Sequence, residues 1–195
     1  MIAKILKKDK AKASFFFTGD FYNNPEYKLL IEELMADGHY LGAHSDQHLL
    51  YADWDKRDST LVSKQQFTDD LKANYEKMSR FCITPEKASV FLPPYEWYNG
   101  VSVDWSAQMG LKVINFTPGI RSNADYTTPD MKNYCSSETI IRDTKDFEKK
   151  DPNGLNGCIV LIHLRTTPER TDKFYNRLGD LLSFLKKRGY STERF

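Results

Sequence analysis

Gly38-His39-Tyr40-Leu41-Gly42-Ala43-His44-Ser45-Asp46-Gln47-His48 joins a short apolar run to two closely spaced histidines. The run at residues 39–43 is typical of a buried strand. His44 and His48 are four residues apart, a spacing that brings both imidazoles to one side of a helical turn or tight loop, where they can share a divalent metal. Two surface histidines after a strand are the alternative. The chain has only four histidines, so two within one pentapeptide favour the metal site.

Short apolar runs alternate with amphipathic segments on both sides of this stretch. Strands are predicted at residues 13–17, 39–43, 88–92, 112–116 and 158–164, and a last short one from Tyr190. Helices are predicted at residues 2–10, 25–35, 64–78 (after a capping box at residues 63–66), 99–109, from Ser137, and at 174–187. Strands that alternate with helices and lack a polar face predict parallel βα units in an α/β fold.

The composition indicates one folded domain spanning residues 1–195. Of the residues, 40% are hydrophobic, and 28 basic against 27 acidic side chains give no charge imbalance that would point to nucleic acid or an anionic membrane. Three widely spaced cysteines imply neither a disulfide framework nor a cysteine zinc site. No apolar run approaches the roughly 20 residues that span a bilayer, so no transmembrane segment is predicted.

Chemistry-bearing residues follow the predicted strands. They lie at residues 18–20, 44–48, 93–96, 117–126 and at His163. Because the carboxyl ends of parallel strands meet at one edge of a sheet, we expect these segments to lie close together around one opening at that edge.

Four of these segments resemble the successive motifs of the polysaccharide deacetylase family (NodB-homology domain, carbohydrate esterase family 4). They are Gly-Ala-His-Ser-Asp-Gln-His at residues 42–48, Phe-Leu-Pro-Pro-Tyr at 91–95, Asp-Tyr at 125–126 and Leu-Ile-His at 161–163. The resemblance implies a deformed (β/α) barrel, here of seven strands. It also implies a metal-dependent hydrolase that removes acetyl groups from an N- or O-acetylated polysaccharide or oligosaccharide.

The resemblance also assigns roles to individual residues. His44 and His48 would bind the divalent metal, usually zinc. Tyr95 would donate its backbone N–H to the developing oxyanion, Leu161 would line the acetyl-methyl pocket, and His163 would be the general acid. A neutral, hydrogen-bonded core histidine is the alternative for His163.

The chain departs from the family pattern in three places. A family strand ending in two aspartates, the catalytic base and the third metal ligand, precedes the helix with which this chain begins, so we expect the first βα unit to be missing or truncated. Such a truncation would also hide any signal peptide. The location of the protein is therefore undecided, and a secreted, periplasmic or cell-envelope location is one alternative. Leu92 replaces the arginine before the two prolines, so Asp125 is expected to lack its usual partner. Glu96 replaces a glycine and is either a solvated loop residue or a substitute base.

Aromatic residues surround the Pro93-Pro94 turn. Tyr95, Trp97 and Tyr98 form either a sugar-stacking platform or ordinary packing. The candidate site therefore consists of a metal pair, two catalytic residues and four substrate-binding residues: His44 and His48; His163 and Glu96; Tyr95, Leu161, Asp125 and Trp97.

A catalytically impaired carbohydrate-binding pseudoenzyme on the same fold is the alternative function. Leu92 and the absent aspartates favour it, whereas the three retained histidines favour the enzyme. Without the first strand, the strand at residues 13–17 would have an open edge. We expect a second copy of the chain, in a homo-oligomer, or residues 190–195 to cover that edge.

Overall fold

The computed structural model describes the whole chain from Met1 to Phe195. The chain divides into two compact units. Residues 12–115 and 193–195 form the first, here called the sheet unit, and residues 1–11 and 116–192 form the second, the helical unit.

All four strands belong to the sheet unit. They are β1 (Ser14–Phe17), β2 (Tyr40–Ala43), β3 (Val90–Phe91) and β4 (Lys112–Val113). The strands lie side by side in chain order and every pair is parallel, with Ser14 opposite Tyr40 and Phe17 opposite Ala43. The predicted α/β fold with a parallel sheet is therefore confirmed.

Seven α-helices accompany the sheet. In chain order they are α1 (Ile2–Asp9), α2 (Gly19–Asn23), α3 (Lys28–Ala36), α4 (Lys64–Ser79), α5 (Gly100–Gln108), α6 (Ser137–Lys150) and α7 (Leu178–Lys187). Short 3-10 helices add Pro25–Tyr27, Pro94–Glu96, Ser122–Tyr126 and Phe174–Arg177. None of the helices is both long enough and apolar enough to cross a bilayer.

Helix α4 begins where the sequence predicts. Ser63 Oγ accepts the backbone N–H of Gln66 (3.2 Å), and Gln66 Oε1 accepts the backbone N–H of Ser63 (2.8 Å), which satisfies two free donors of the first turn. Phe67 and Leu71 then follow at helical spacing and are fully buried. The capping box and the apolar stripe together fix this helix against the core of the sheet unit.

The helical unit has its own core. Helix α1 contacts α7, and apolar side chains from α6, α7 and the connecting segments pack together: Ile120, Cys135, Ile140, Ile141, Leu155, Phe174, Leu181 and Leu185. Burial raises the pKa of the Cys135 thiol, which keeps this core cysteine protonated at neutral pH.

The expected seven-stranded barrel is not confirmed, because the sheet has four strands and does not close. Residues 158–164 form no strand although they are apolar. Ile159 exchanges hydrogen bonds only with Thr117, through its backbone and Oγ1, and the His163 backbone N–H bonds to a side chain. Such isolated bonds do not form a strand ladder. Residues 158–163 are half-buried and Leu164 is exposed, whereas a central parallel strand is buried on both faces.

The predicted strand from Tyr190 is also absent. Within the sheet unit, the Phe195 backbone N–H donates to Ser14 Oγ (3.1 Å), and the Phe195 ring lies 6.2 Å from that of Phe16 and 6.1 Å from that of Tyr40. The chain end thus lies against β1 through a side-chain bond and ring contacts, without strand pairing.

Candidate functional site

His44 and His48 turn their rings towards each other at the carboxyl end of β2. His44 Nδ1 lies 2.7 Å from the Leu92 carbonyl oxygen. A carbonyl can only accept, so Nδ1 carries the proton and Nε2 carries the lone pair. His48 Nε2 lies 3.2 Å from His44 Nε2. Two ring nitrogens therefore face one point.

This separation fits two ligands of one metal ion. Nitrogens bound to tetrahedral zinc at about 2.0–2.1 Å are about 3.3 Å apart, close to the observed 3.2 Å between His44 Nε2 and His48 Nε2. No third His, Cys, Asp or Glu side chain of the sheet unit joins them in a metal-binding group. A tetrahedral ion held by this pair would therefore need two further ligands from outside the two rings.

Two buried side chains of α4 hold the loop of residues 44–48, here called the histidine loop. Asp70 accepts the backbone N–H groups of Asp46 (3.1 Å) and Gln47 (2.9 Å), and Asn74 Oδ1 accepts that of His44 (3.1 Å). Asp70 and Asn74 are four residues apart and share one helix face. Sequence reasoning missed both, although a polar pair on the apolar face of α4 is the signal that could have found them.

Tyr51 completes this support. Its hydroxyl lies 3.5 Å from Asp70 Oδ2, and burial and the Asp70 carboxylate raise the pKa of Tyr51 well above its ordinary value. The phenol therefore stays protonated and donates to Asp70 across the physiological pH range.

Asp46 is engaged away from the histidine pair. Its Oδ1 forms an ion pair of 2.7 Å with Lys77 on α4, and its side chain is 9% exposed. The carboxylate also lies against Gly19, where an added Cβ would come within 1.6 Å of Asp46 Oδ1. Asp46 therefore anchors the loop on α4.

Strained backbone is concentrated around the pair. Seven non-glycine residues of the chain have positive φ, and four of them are Ser45 (65°), His48 (56°), Tyr95 (59°) and Glu96 (51°). The Ser45 hydroxyl accepts the backbone N–H of His48 (2.8 Å) and stabilises the turn between the two histidines. Left-handed conformations at non-glycine residues cost free energy, and they cluster at functional sites.

Tyr95 lies directly beside His48, with ring centroids 4.4 Å apart. The 3-10 turn Pro94–Glu96 takes its hydrogen bonds from the N–H groups of Glu96 and Trp97, so the Tyr95 N–H is not used by the turn. Its predicted role as an oxyanion donor stays a prediction, as does the role of Glu96, which is half-buried and whose carbonyl accepts Asn115 Nδ2 (2.8 Å).

An aromatic cluster continues from Tyr95. Trp54, which sequence reasoning missed, lies with its ring 5.7 Å from that of Tyr95 and 5.5 Å from that of Trp97. Arg57 covers Trp97, with Cζ 4.4 Å from the ring centroid. Trp97, the predicted sugar contact, is thus the more covered of the two tryptophans.

His163 and Asp125 form the candidate pair of the helical unit. Asp125 Oδ1 lies 2.6 Å from His163 Nδ1, and Asp125 Oδ2 accepts the His163 backbone N–H (2.8 Å). Both oxygens of the carboxylate are used, so Asp125 has a partner despite the absent arginine. A carboxylate can only accept, so His163 carries a proton on Nδ1. Leu161, on the same segment, is half-buried.

Arg170 holds the loop that carries Asp125. Its guanidinium is fully buried and donates to the carbonyls of Thr127 (2.6 Å) and Cys135 (2.9 Å) through Nη1. Sequence reasoning missed Arg170, because nothing in a polar loop distinguishes a buried arginine from an exposed one.

A sequence model described as polysaccharide deacetylase matches residues 1–114, more than half of the chain. A comparison with curated protein sequences gave no match.

Solved structures resemble the whole chain. A peptidoglycan N-acetylglucosamine deacetylase aligns with a TM-score of 0.73 and 17% identity over 100% of this chain and 78% of that one. A CE4 esterase from Streptococcus mutans gives 0.72 and 18%, over 99% and 78%. A CE4 family pseudoenzyme from Bacillus anthracis gives 0.71 and 20%, over 100% of this chain and 57% of that one. At these identities the likeness shows the fold alone.

Proposed function

Since this chain belongs to the polysaccharide deacetylase family, we propose that it is a metal-dependent hydrolase that removes acetyl groups from an N- or O-acetylated carbohydrate. The observation that carries the proposal is the 3.2 Å approach of His44 Nε2 to His48 Nε2, where the bond from His44 Nδ1 to the Leu92 carbonyl places the His44 lone pair on Nε2. Imidazole pairs of this geometry suit zinc.

The residues of the chain take the following roles. His44 and His48 hold the metal, which when bound supplies a Lewis acid for the acetyl carbonyl. Tyr95 N–H donates to the oxygen that gains negative charge, and Leu161 contacts the acetyl methyl group. His163 Nε2 protonates the leaving nitrogen or oxygen, while Asp125 keeps the ring in the required tautomer.

Glu96 is the candidate general base within the chain. Its carboxyl follows Tyr95 in the same strained turn, which is why it is the first carboxylate to test. Protonating the leaving group and activating water are separate tasks, so losing Glu96 and losing His163 should affect different steps.

A carbohydrate-binding pseudoenzyme is the second candidate. The absence of a third metal-binding side chain beside His44 and His48 favours it, and so does Leu92. One of the similar structures is described as a CE4 family pseudoenzyme, which shows that this fold also occurs without activity.

Zinc binding and acetate release by the purified chain test the proposal. We expect wild type to bind zinc in calorimetry, His44→Ala and His48→Ala each to abolish it, and His163→Ala, the matched histidine control, to retain it. Acetate release from acetylated chito-oligosaccharides and acetylxylan is measured with and without zinc, and in Glu96→Gln.

The outcomes separate the two candidates. Zinc-dependent acetate release that fails in His44→Ala supports the hydrolase. Zinc binding without acetate release on either substrate supports the pseudoenzyme. Unchanged zinc binding in both His44→Ala and His48→Ala would show that these two histidines are not the metal ligands.

A further inference from the structure

Three Asn-Gly dipeptides occur in the chain, at residues 99–100, 153–154 and 156–157. In such a dipeptide the backbone nitrogen of the glycine can attack the side-chain carbonyl carbon of the asparagine, because glycine has no Cβ to block the approach and leaves the backbone free to rotate. The reaction converts the asparagine to an acid. It requires a mobile asparagine side chain and a glycine nitrogen without a hydrogen bond, so the three dipeptides can be compared by their surroundings.

Asn99 is held through both polar atoms of its side chain. Its Oδ1 accepts the backbone N–H of Ser102 (3.1 Å) as the N-cap of α5, and its Nδ2 donates to Thr60 Oγ1 (2.9 Å). The residue is 5% exposed. Rotating this side chain towards the nitrogen of Gly100 would break both buried bonds, so the first dipeptide is protected.

Asn153 is exposed, but the nitrogen that follows it is engaged. The Gly154 N–H donates to the Asp151 carbonyl (2.9 Å) and closes a turn. Gly154 is also packed, because an added Cβ would come within 2.2 Å of the Tyr190 hydroxyl. Attack by this nitrogen therefore requires the turn to open first.

Asn156 differs from both. It is exposed, and no hydrogen bond holds its side-chain amide. The Cys158 N–H donates to the Leu155 carbonyl (3.1 Å) and closes the turn around this dipeptide, so the Gly157 N–H takes no part in it. A Cβ added to Gly157 would meet no atom within 4 Å. Both reacting groups are therefore free, and open space surrounds them.

From this comparison we propose that Asn156 is a site of spontaneous deamidation. The Gly157 nitrogen, after losing its proton to water, forms a bond to Asn156 Cγ. The bond from Cγ to Nδ2 breaks, and Nδ2 takes up a proton and leaves as ammonia. Water then opens the resulting five-membered succinimide at either carbonyl, which gives aspartate or isoaspartate. Water is the only co-reactant, and the inference does not depend on the proposed function.

Isoaspartate at this position lengthens the main chain by one carbon between two fixed points. On one side, Leu155 is 7% exposed and belongs to the core of the helical unit. On the other side, the backbone of Ile159 exchanges hydrogen bonds with Thr117, at 2.8 and 3.0 Å. The extra carbon must displace one of these points. We therefore expect the modified protein to be less stable and the segment that carries His163 to be held less firmly.

Peptide mapping of the purified chain tests this inference. Wild type, Asn156→Gln and the matched control Asn153→Gln are incubated in mildly alkaline buffer, with and without urea, and digested with trypsin at intervals. Cleavage after Lys150 and Arg165 releases one peptide that contains both asparagines. Fragmentation in the mass spectrometer assigns the mass gain to one of them and identifies isoaspartate. Melting curves of fresh samples confirm that each variant is folded.

In folded wild type we expect deamidation to be about tenfold faster at Asn156 than at Asn153, on the order of the rate factor for one additional hydrogen bond that must break. Asn99 should stay unmodified. In urea all three should react at similar rates, because the bonds that distinguish them are gone. The melting temperature should decrease during incubation in wild type and Asn153→Gln. It should stay constant in Asn156→Gln, because glutamine closes the larger ring far more slowly.

Equal rates at Asn153 and Asn156 in the folded chain would overturn the inference, and so would an Asn156 that reacts only in urea. A melting temperature that decreases equally in Asn156→Gln would show that the modification does not loosen the segment before His163.

Discussion

The two histidine arrangements of this protein are built in different ways. His44 and His48 follow a parallel strand, and side chains of α4 hold their loop. His163 lies on a segment without strand pairing, and the Asp125 carboxylate contacts both its ring and its backbone N–H. A regular sheet end positions the first pair, whereas a buried polar network positions the second.

This difference predicts that the two arrangements respond differently when a supporting residue is substituted. The first pair has several independent supports, including Asp70, Asn74 and the Leu92 carbonyl, so losing one should weaken it in part. The arrangement of His163 and Asp125 depends on a series of contacts that leads from Arg170 through the loop to Asp125. A substitution at any residue of this series should therefore disturb the position of His163.

Arg170→Met is the strongest test of this contrast. It leaves the carbonyls of Thr127 and Cys135 without their buried donor, and we expect the free energy of unfolding to fall by about 3–5 kcal/mol in urea titrations. Arg165→Met, an exposed arginine nearby, should change it by about 0.5 kcal/mol or less. Zinc binding at His44 and His48 should survive in both. Its loss in Arg170→Met alone would show that the two arrangements are not independent.

Asp70→Asn should have an intermediate effect. The amide can accept only one of the two backbone N–H groups that the carboxylate accepts, which costs about 1–3 kcal/mol of stability. Because the loop then holds the histidines less firmly, zinc affinity should fall roughly 10–100-fold in calorimetry. Asp69→Asn changes the exposed neighbour on the same helix and should leave affinity unaltered. Equal affinity in the two variants would remove Asp70 from the support of the site.

Substitution of His39 should have the smallest effect, and it should appear as a change in the pH dependence of stability. Burial lowers the pKa of His39 from 6.5, and the Lys12 charge lowers it further, so the folded state favours the neutral ring, which accepts the Ala13 N–H. Protonation of His39 therefore does not lower the free energy of unfolding above pH 6.5, and that free energy decreases as the pH falls from there towards the lowered pKa.

Melting temperatures at about pH 7.5 and about pH 5.5, on either side of the ordinary imidazole pKa of about 6.5, measure this loss. His39→Gln should show a smaller decrease between the two than wild type does. The other three histidines are present in both proteins, so an identical decrease would assign the pH dependence to them.

Sequence reasoning succeeded where one local pattern determines the structure. The apolar runs that became β1 to β4, and the capping box at Ser63, specify their elements through neighbouring residues alone. Residues 158–164 are equally apolar, but a strand also requires partners on its edges, and that requirement is not visible in the run itself.

The supports of the site were harder to predict for a related reason. His44 and His48 are recognisable because their spacing is local, whereas Asp70 acts on residues more than twenty positions away and Arg170 on residues more than thirty positions away. Trp54 was missed because its partners, Tyr95 and Trp97, belong to a distant loop. A single sequence gives no signal for such pairings.

The bond between His44 and residue 92 runs through the main chain. Every amino acid supplies the same carbonyl, so exchanging the family arginine for Leu92 leaves the orientation of His44 unaffected. A substitution at position 92 can therefore change the side chain there while the His44 ring keeps the same hydrogen-bond partner.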